Sequence, residues 1–367
     1  MKRTVLLNPG PVNVSEKVAR AQLRGDLCHR EEEFALLAQA IRRKLAGVFG
    51  VGNEFTPVLI SGSGTAALEM AVCSFVSPER KLLVISNGVY GERIARIAEV
   101  HGIPRTVMET PWGTPPDLAA VEQALAADPS IEAMALVHHE TTTGLLNPLA
   151  EASALARRAG KKVLVDAISS LAGDTFDFDT VDLAVGTANK CVQGLPGVSF
   201  ALVRKDDLPR LEAIPARSLY FNLAAHHRAQ ESGQTLFTPA VQAHYAFDAA
   251  LDELAEETVA RRIERTRAAA LRLRNGFAEM GLSALLPEEW QSNVLTALKL
   301  PDGLAYPKLH DRLKAAGFVI YAGQGNLKSH AFRIANIGDI QPAEFDTFLQ
   351  ALGETLAEHS SRSGGRP

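Results

Sequence analysis

Asp166, closing the run Lys-Lys-Val-Leu-Val-Asp, and Lys190, in Val-Gly-Thr-Ala-Asn-Lys-Cys, are two residues whose types could do chemistry together. Each ends an apolar run and is followed by turn-like residues, the place where side chains of an α/β sheet meet a ligand. A lysine amine in such a place forms a Schiff base with an aldehyde, and an aspartate keeps a pyridine nitrogen protonated so that the ring accepts electrons. The pair points to pyridoxal phosphate. Plainer readings stand beside this one. Asp166 suits the capping of a turn or, in other α/β enzymes, a magnesium ion, and most lysines lie on the surface. Two features favour catalysis. No Gly-Lys-Ser/Thr phosphate loop accompanies Asp166, and the small, apolar flanks of Lys190 would lower its amine pKa.

A phosphate-bearing cofactor needs a cradle, and Ile60-Ser-Gly-Ser-Gly-Thr-Ala-Ala-Leu-Glu-Met offers one between a predicted strand and a predicted helix. Its glycines permit a tight turn, and the Ser63 and Thr65 hydroxyls join the free N–H groups of a helix start around an anion. Alone, the same string is also a flexible turn with a cap. Tyr90, in Ser-Asn-Gly-Val-Tyr-Gly, could stack on a ring, although a tyrosine beside two glycines is more often a turn residue. The run His138-His-Glu-Thr-Thr-Thr-Gly sets three hydroxyls at a strand end, with Thr142 expected near the ring oxygen. Adjacent His138 and His139 point to opposite faces of a strand and do not chelate together, so no metal is expected. Arg333, inside Ala-Phe-Arg-Ile-Ala, is an arginine in an apolar strand and needs an anion, either a substrate's acidic group or an acidic neighbour. Thr238, in Leu-Phe-Thr-Pro-Ala, could reach a phosphate.

These residues must be held by a framework, and the chain supplies one. Residues 31–49 carry Phe34, Leu37, Ile41, Leu45 and Val48 at helical spacing, and Gly50 closes the helix. Apolar runs over 56–60, 81–86, 133–138, 162–165, 183–185 and 198–203 alternate with segments of helical period, which predicts a mainly parallel sheet between helices. From 245 to 280 the pattern is a long charged helix interrupted near Glu257. Strands are then expected over 293–298, 319–321 and 332–334, with a helix over 304–316. The expected organisation is an N-terminal segment (1–20) joining a small domain, a large domain (21–250), a small C-terminal α+β domain (251–358) and a fraying tail (359–367). With 367 residues, 46% hydrophobic and 22% charged, at a net charge of -4, the composition is that of an ordinary globular enzyme. No basic patch suggests nucleic acid, no apolar run spans a membrane, and no leader pattern opens the chain, so a cytoplasmic location is expected. Three scattered cysteines, Cys28, Cys73 and Cys191, make neither a disulfide framework nor a zinc site.

The assembled motifs resemble the class V, fold-type I aminotransferases. The broad likeness is carried by Asn-Pro-Gly-Pro (8–11), Ser-Gly-Ser-Gly-Thr (61–65), Val-Asp-Ala-Ile-Ser-Ser (165–170) and the Lys190 strand. A narrower likeness, to the 2-aminoethylphosphonate:pyruvate transaminase family, rests on Asp-Leu-Cys-His-Arg-Glu-Glu-Glu-Phe (26–34), Ser-Asn-Gly-Val-Tyr-Gly-Glu-Arg (86–93), His-Glu-Thr-Thr-Thr-Gly-Leu-Leu-Asn-Pro (139–148), Ala-Asn-Lys-Cys-Val-Gln-Gly-Leu-Pro-Gly (188–197) and Phe-Arg-Ile-Ala-Asn-Ile-Gly (332–338). The resemblance implies a pyridoxal 5'-phosphate enzyme with Lys190 as the Schiff-base residue and Asp166 at the pyridine nitrogen. It implies that Ser63, Gly64, Thr65, Tyr90, Thr142 and Asn189 contact the cofactor and that Thr238 is donated across a homodimer interface. Arg333 would bind the substrate's acidic group, with Asn8, Gly10 and His29 nearby. Asn8, His29 and Ala335 depart from residues frequent in that family, which leaves other class V donors such as alanine or serine as the alternative. A desulfurase would require a catalytic cysteine later than Cys191.

Overall fold

The computed structural model describes residues 3–363. Short aliphatic runs build a seven-stranded sheet from β1 (Phe55–Gly62), β2 (Lys81–Ser86), β3 (Arg105–Glu109), β4 (Ile131–Val137), β5 (Lys162–Asp166), β6 (Leu183–Thr187) and β7 (Gly197–Arg204). Their order is β1-β7-β6-β5-β4-β2-β3. All neighbours are parallel except at β7, which runs against both β1 and β6. β3 was not expected from the sequence. It is an edge strand of half-exposed residues, Arg-Thr-Val-Met-Glu, paired on one side only, so its pattern lacks a continuous apolar run.

Helices cover both faces of this sheet. α1 (Glu32–Val48) buries Phe34, Ile41 and Leu45, the stripe that its spacing anticipates. α2 (Gly64–Phe75) is buried along nearly its whole length, and α3 (Val89–Val100) follows β2. Two apolar cores result, one on each face of the sheet. The long charged segment is two helices, α4 (Val241–Glu257) and α5 (Val259–Glu279), divided at Thr258, whose backbone takes φ +71°. The interruption expected near Glu257 falls one residue later.

Beyond it, β8 (Leu295–Lys299), β9 (Tyr321–Ala322) and β10 (Ala331–Ala335) form an antiparallel sheet with β10 in the middle. The strand expected over 319–321 is divided between two sheets. Phe318–Val319 pairs in parallel with Val5–Leu6, while Tyr321–Ala322 pairs with β10, because Ile320 between them turns into the C-terminal core. The N-terminal strand is thereby stitched to the C-terminal part of the chain. α6 (Pro342–Ser363) closes the fold and continues past residue 359, where the tail was expected to start. Residues 364–367 lie outside the described residues. Among the described residues, no helix is long and apolar enough to cross a membrane.

Candidate active site

Asp166 and Lys190 meet at the carboxyl end of the central strands. Asp166 is the last residue of β5, between β4 and β6, and is 2% exposed. Its Oδ1 accepts a hydrogen bond from Ile168 N at 3.0 Å, whereas its buried Oδ2 has no partner among the described residues. Lys190 lies in the turn from β6 to β7, which Gly194 N fastens to Ala188 O at 2.7 Å. Lys190 Nζ donates to Pro9 O of the N-terminal segment. Gly10 has φ +115°, and a Cβ there would stand 2.8 Å from Nζ, so the segment crosses the lysine only with glycine at this position.

Both side chains open into one cavity, of about 160 Å³, together with Ser63, Gly64, Thr65, Tyr90 and Asn189. Ser63 is the N-cap of α2 with no side-chain capping bond, and while Ala66 N donates to Ser63 O at 2.8 Å, the Gly64 and Thr65 amides have no acceptor among the described residues and can meet an anion. Arg93, one turn along α3, donates from Nη1 to Thr65 Oγ1 at 2.9 Å and sets its guanidinium carbon 4.5 Å from the Tyr90 ring centroid. Val137, His139, Thr141, Ile168, Ser169 and Thr187 complete the lining.

Thr141, rather than Thr142, is the member of the threonine run that lines the cavity. The Thr142 hydroxyl is fully buried, donating to Glu140 Oε1 at 2.6 Å and accepting from Val89 N at 3.1 Å. Glu140 organises this corner. Its Oε2 accepts from Tyr90 N and Gly91 N at 3.1 and 3.2 Å, and its Oε1 from Thr142 N at 3.1 Å, so one carboxylate ties the start of α3 to the threonine turn. Burial pushes the Glu140 carboxyl up, against the pull of the Thr142 and Gly91 donors.

Arg333, on β10, is 4% exposed. Its Nε donates to Ala322 O at 2.9 Å, and its Nη1 donates to Thr141 O at 2.9 Å and Gln324 Oε1 at 3.0 Å. All three acceptors are neutral, and no ion pair to Arg333 exists among the described residues. The guanidinium is not itself part of the cavity lining but stands behind Thr141, close enough to Lys190 for its charge to be felt there. The remaining candidates are placed elsewhere. Asn8 is buried and donates from Nδ2 to Pro11 O at 2.8 Å, His29 is half-exposed and outside the cavity lining, and Thr238 borders a separate cavity beside Ser61, Phe237 and His244.

The model of the class-V aminotransferase family matches residues 14–325. The chain belongs to the class-V aminotransferases. It is 38% identical to the 2-aminoethylphosphonate–pyruvate transaminase of Vibrio cholerae, over 96% of this chain and 97% of that one. It is 37% identical to the enzyme of that name from Klebsiella pneumoniae, with the same coverage. Among solved structures, pyridoxamine-pyruvate aminotransferase from Mesorhizobium loti superposes with TM-score 0.91 at 27% identity, covering 98% of this chain and 93% of that one. Alanine–glyoxylate aminotransferase from Nostoc sp. gives TM-score 0.91 at 26% identity, covering 97% and 96%.

The electrostatics of this aminotransferase follow from enclosure. Burial pushes the Lys190 ammonium down to about 8; Cys191 and Asp166 oppose the shift, while Arg333 and Arg93 reinforce it. Burial also raises the Asp166 carboxyl to about 6, against the pull of the Ile168 amide and of the Arg93 and Lys190 charges. His139 is driven down to about 3 by burial and stays neutral. The Cys191 thiol is raised to about 12 and lies 3.5 Å from Ser169 O, an inert packing group. Sequence reasoning missed Arg93, Glu140, Ile168 and Gln324. Arg93 and Glu140 stood within quoted motifs, but nothing in their spacing distinguishes them from surface charges.

Proposed function

We propose that this aminotransferase moves the amino group of 2-aminoethylphosphonate to pyruvate, yielding phosphonoacetaldehyde and L-alanine, with pyridoxal 5'-phosphate as cofactor. The likeness to the curated transaminases supports the substrate pair, and the orphaned Asp166 Oδ2 beside the Lys190 amine supports the cofactor. The residues fit that group. Ser63, Gly64 and Thr65 would take its phosphate with Arg93 adding positive charge, Tyr90 and Ile168 would wall its ring, and Thr141 would stand at its edge where Thr142 was expected. When bound, pyridoxal phosphate supplies an aldehyde that accepts the amino group and a ring that spreads the negative charge left on the substrate carbon. Asp166 Oδ2, the buried oxygen without a partner, would hold the proton on the ring nitrogen. Lys190 Nζ would act as the base that takes a proton from the substrate carbon bearing the amino group, a role for which a lowered amine pKa suits it. Its neighbour Asn189 accepts from Thr187 Oγ1 at 2.9 Å, which orients the turn.

The observation that carries the substrate reading is Arg333, a buried guanidinium without a carboxylate. Such a group is costly unless an anion joins it, and a phosphonate or a carboxylate does so in turn. We place Thr238 at the cofactor phosphate of a second subunit in a homodimer, since within its own chain it borders a different cavity. The unpaired thiols, including exposed Cys28, suit a reducing, cytoplasmic setting. A donor screen with pyruvate as acceptor tests the whole reading. Alanine formation driven best by 2-aminoethylphosphonate is expected, and turnover with serine or taurine, or with alanine when glyoxylate replaces pyruvate, but not with the aminophosphonate removes the assignment.

A further inference from the structure

We infer that Gln324 is a specificity-determining residue, donating a hydrogen bond to the third oxygen of a phosphonate held by Arg333. The inference rests on the reading above that one pocket receives an aminophosphonate and a keto acid in turn. The two anions differ in shape and in number of acceptors, since a carboxylate presents two oxygens in a plane and a phosphonate three around a tetrahedral atom. Arg333 has spent Nε on Ala322 O and Nη1 on Thr141 O and Gln324 Oε1, so only Nη2 is uncommitted among the described residues. Its two N–H groups diverge, so Nη2 by itself places one strong bond on an anion and leaves the outer oxygens of a tetrahedral head group without a donor.

Gln324 supplies that donor. Because Arg333 Nη1 can only donate, the Gln324 amide must turn its oxygen to the guanidinium, at 3.0 Å, which sets Nε2 on the other side of the same head group. Gln324 is half-buried, and its Nε2 has no hydrogen-bond partner among the described residues. Its loop is held in place across the site. Gly325, with φ +50°, lies flat against Trp112, where a Cβ would stand 2.5 Å from the indole, and Trp112 Nε1 donates to Glu92 Oε1 at 2.9 Å on α3. A planar carboxylate presents fewer and less highly charged oxygens than a phosphonate and therefore depends on the amide less.

The test compares the holoenzyme with Gln324→Leu, which removes the donor, and Gln324→Lys, which restores one. Expected for Gln324→Leu is a KM for 2-aminoethylphosphonate raised about tenfold or more, the scale of a hydrogen bond to a charged group, with the KM for pyruvate changed less than about threefold. Calorimetric titration should show ethylphosphonate binding weakened in parallel while propionate binding is retained. Gln324→Lys should recover phosphonate binding to within about threefold of the parent protein. Equal losses for both anions, or a Gln324→Lys protein that behaves like Gln324→Leu, overturn the inference. Should the parent enzyme fail to turn over 2-aminoethylphosphonate, the functional reading fails on that count, and the ethylphosphonate and propionate titrations judge Gln324 independently.

Discussion

Two buried aspartates close together in the chain, Asp166 and Asp174, separate function from structure. Both are almost inaccessible, and burial raises both carboxyls to about 6. Asp174 has a partner on each oxygen, Ser292 Oγ at 2.6 Å and Asn293 N at 2.8 Å, and so joins the loop after β5 to the segment leading into β8. Asp166 keeps Oδ2 bare. The same contrast recurs in two buried arginines. Arg262 is 2% exposed, pairs with Glu257 and donates to Cys191 O at 2.9 Å, whereas Arg333 finds only neutral acceptors. Burial and a shifted pKa are common to all four. Asp166 Oδ2 and Arg333 Nη2 have no partner among the described residues, and in the proposed function a ligand would supply the partner that each buried group lacks.

That contrast can be broken most decisively at the reacting amine. Lys190→Ala should lower turnover by more than about a thousandfold while the protein still binds cofactor, the loss expected when a positioned base disappears; transamination at a measurable fraction of the parent rate removes Lys190 from the chemistry. The next largest effects divide the aspartates. Asp166→Asn should lower kcat by about 10² to 10³, and Asp174→Ala should leave kcat within about threefold while costing roughly 1–3 kcal/mol of unfolding free energy, since two buried donors lose their acceptor. The reverse pattern would falsify the distinction.

The arginines sharpen it. Arg333→Lys keeps charge but loses the planar head, so KM for both substrates should rise about 10- to 100-fold with stability little changed. Arg262→Lys should do the opposite, lowering the thermal midpoint while leaving KM alone. The smallest effect is a pH-dependent one in the cofactor-free protein. The folded pKa of Asp166 lies above its unfolded value, so protonation favours folding below about pH 4 and that contribution is lost as pH rises through about 6. Asp166→Asn should therefore stabilise the cofactor-free protein by about 3 kcal/mol at pH 8 and by nothing at pH 4. Equal effects at both pH values, read by chemical unfolding, show that the carboxyl is not strained by burial.

What the sequence legibly carried was local. Asp166, Lys190 and the Ser63–Thr65 turn each sit inside a strand and the turn after it, and a run of aliphatic residues followed by small or polar ones is enough to place such a side chain at a sheet edge. The six apolar runs became strands for the same reason, while β3 escaped because an edge strand can be polar. Direction was not legible, since the reversal of β7 depends on which strands it finds as neighbours. Nor was the choice of Thr141 over Thr142, which turns on a hydroxyl claimed by Glu140. The partnering of buried charges was decided by the tertiary structure alone. Arg333 and Arg262 are both buried arginines: Arg262 meets a carboxylate only five residues away, at the break between α4 and α5, whereas Arg333 meets the neutral carbonyl of Thr141, 192 residues away, and the Gln324 amide. Sequence fixes which groups a chain must bury or expose near its own neighbours. Whether such a group is satisfied can depend on atoms more than a hundred residues away, as for Asp174 with Ser292 and Arg333 with Thr141, and that is settled when the chain closes on itself.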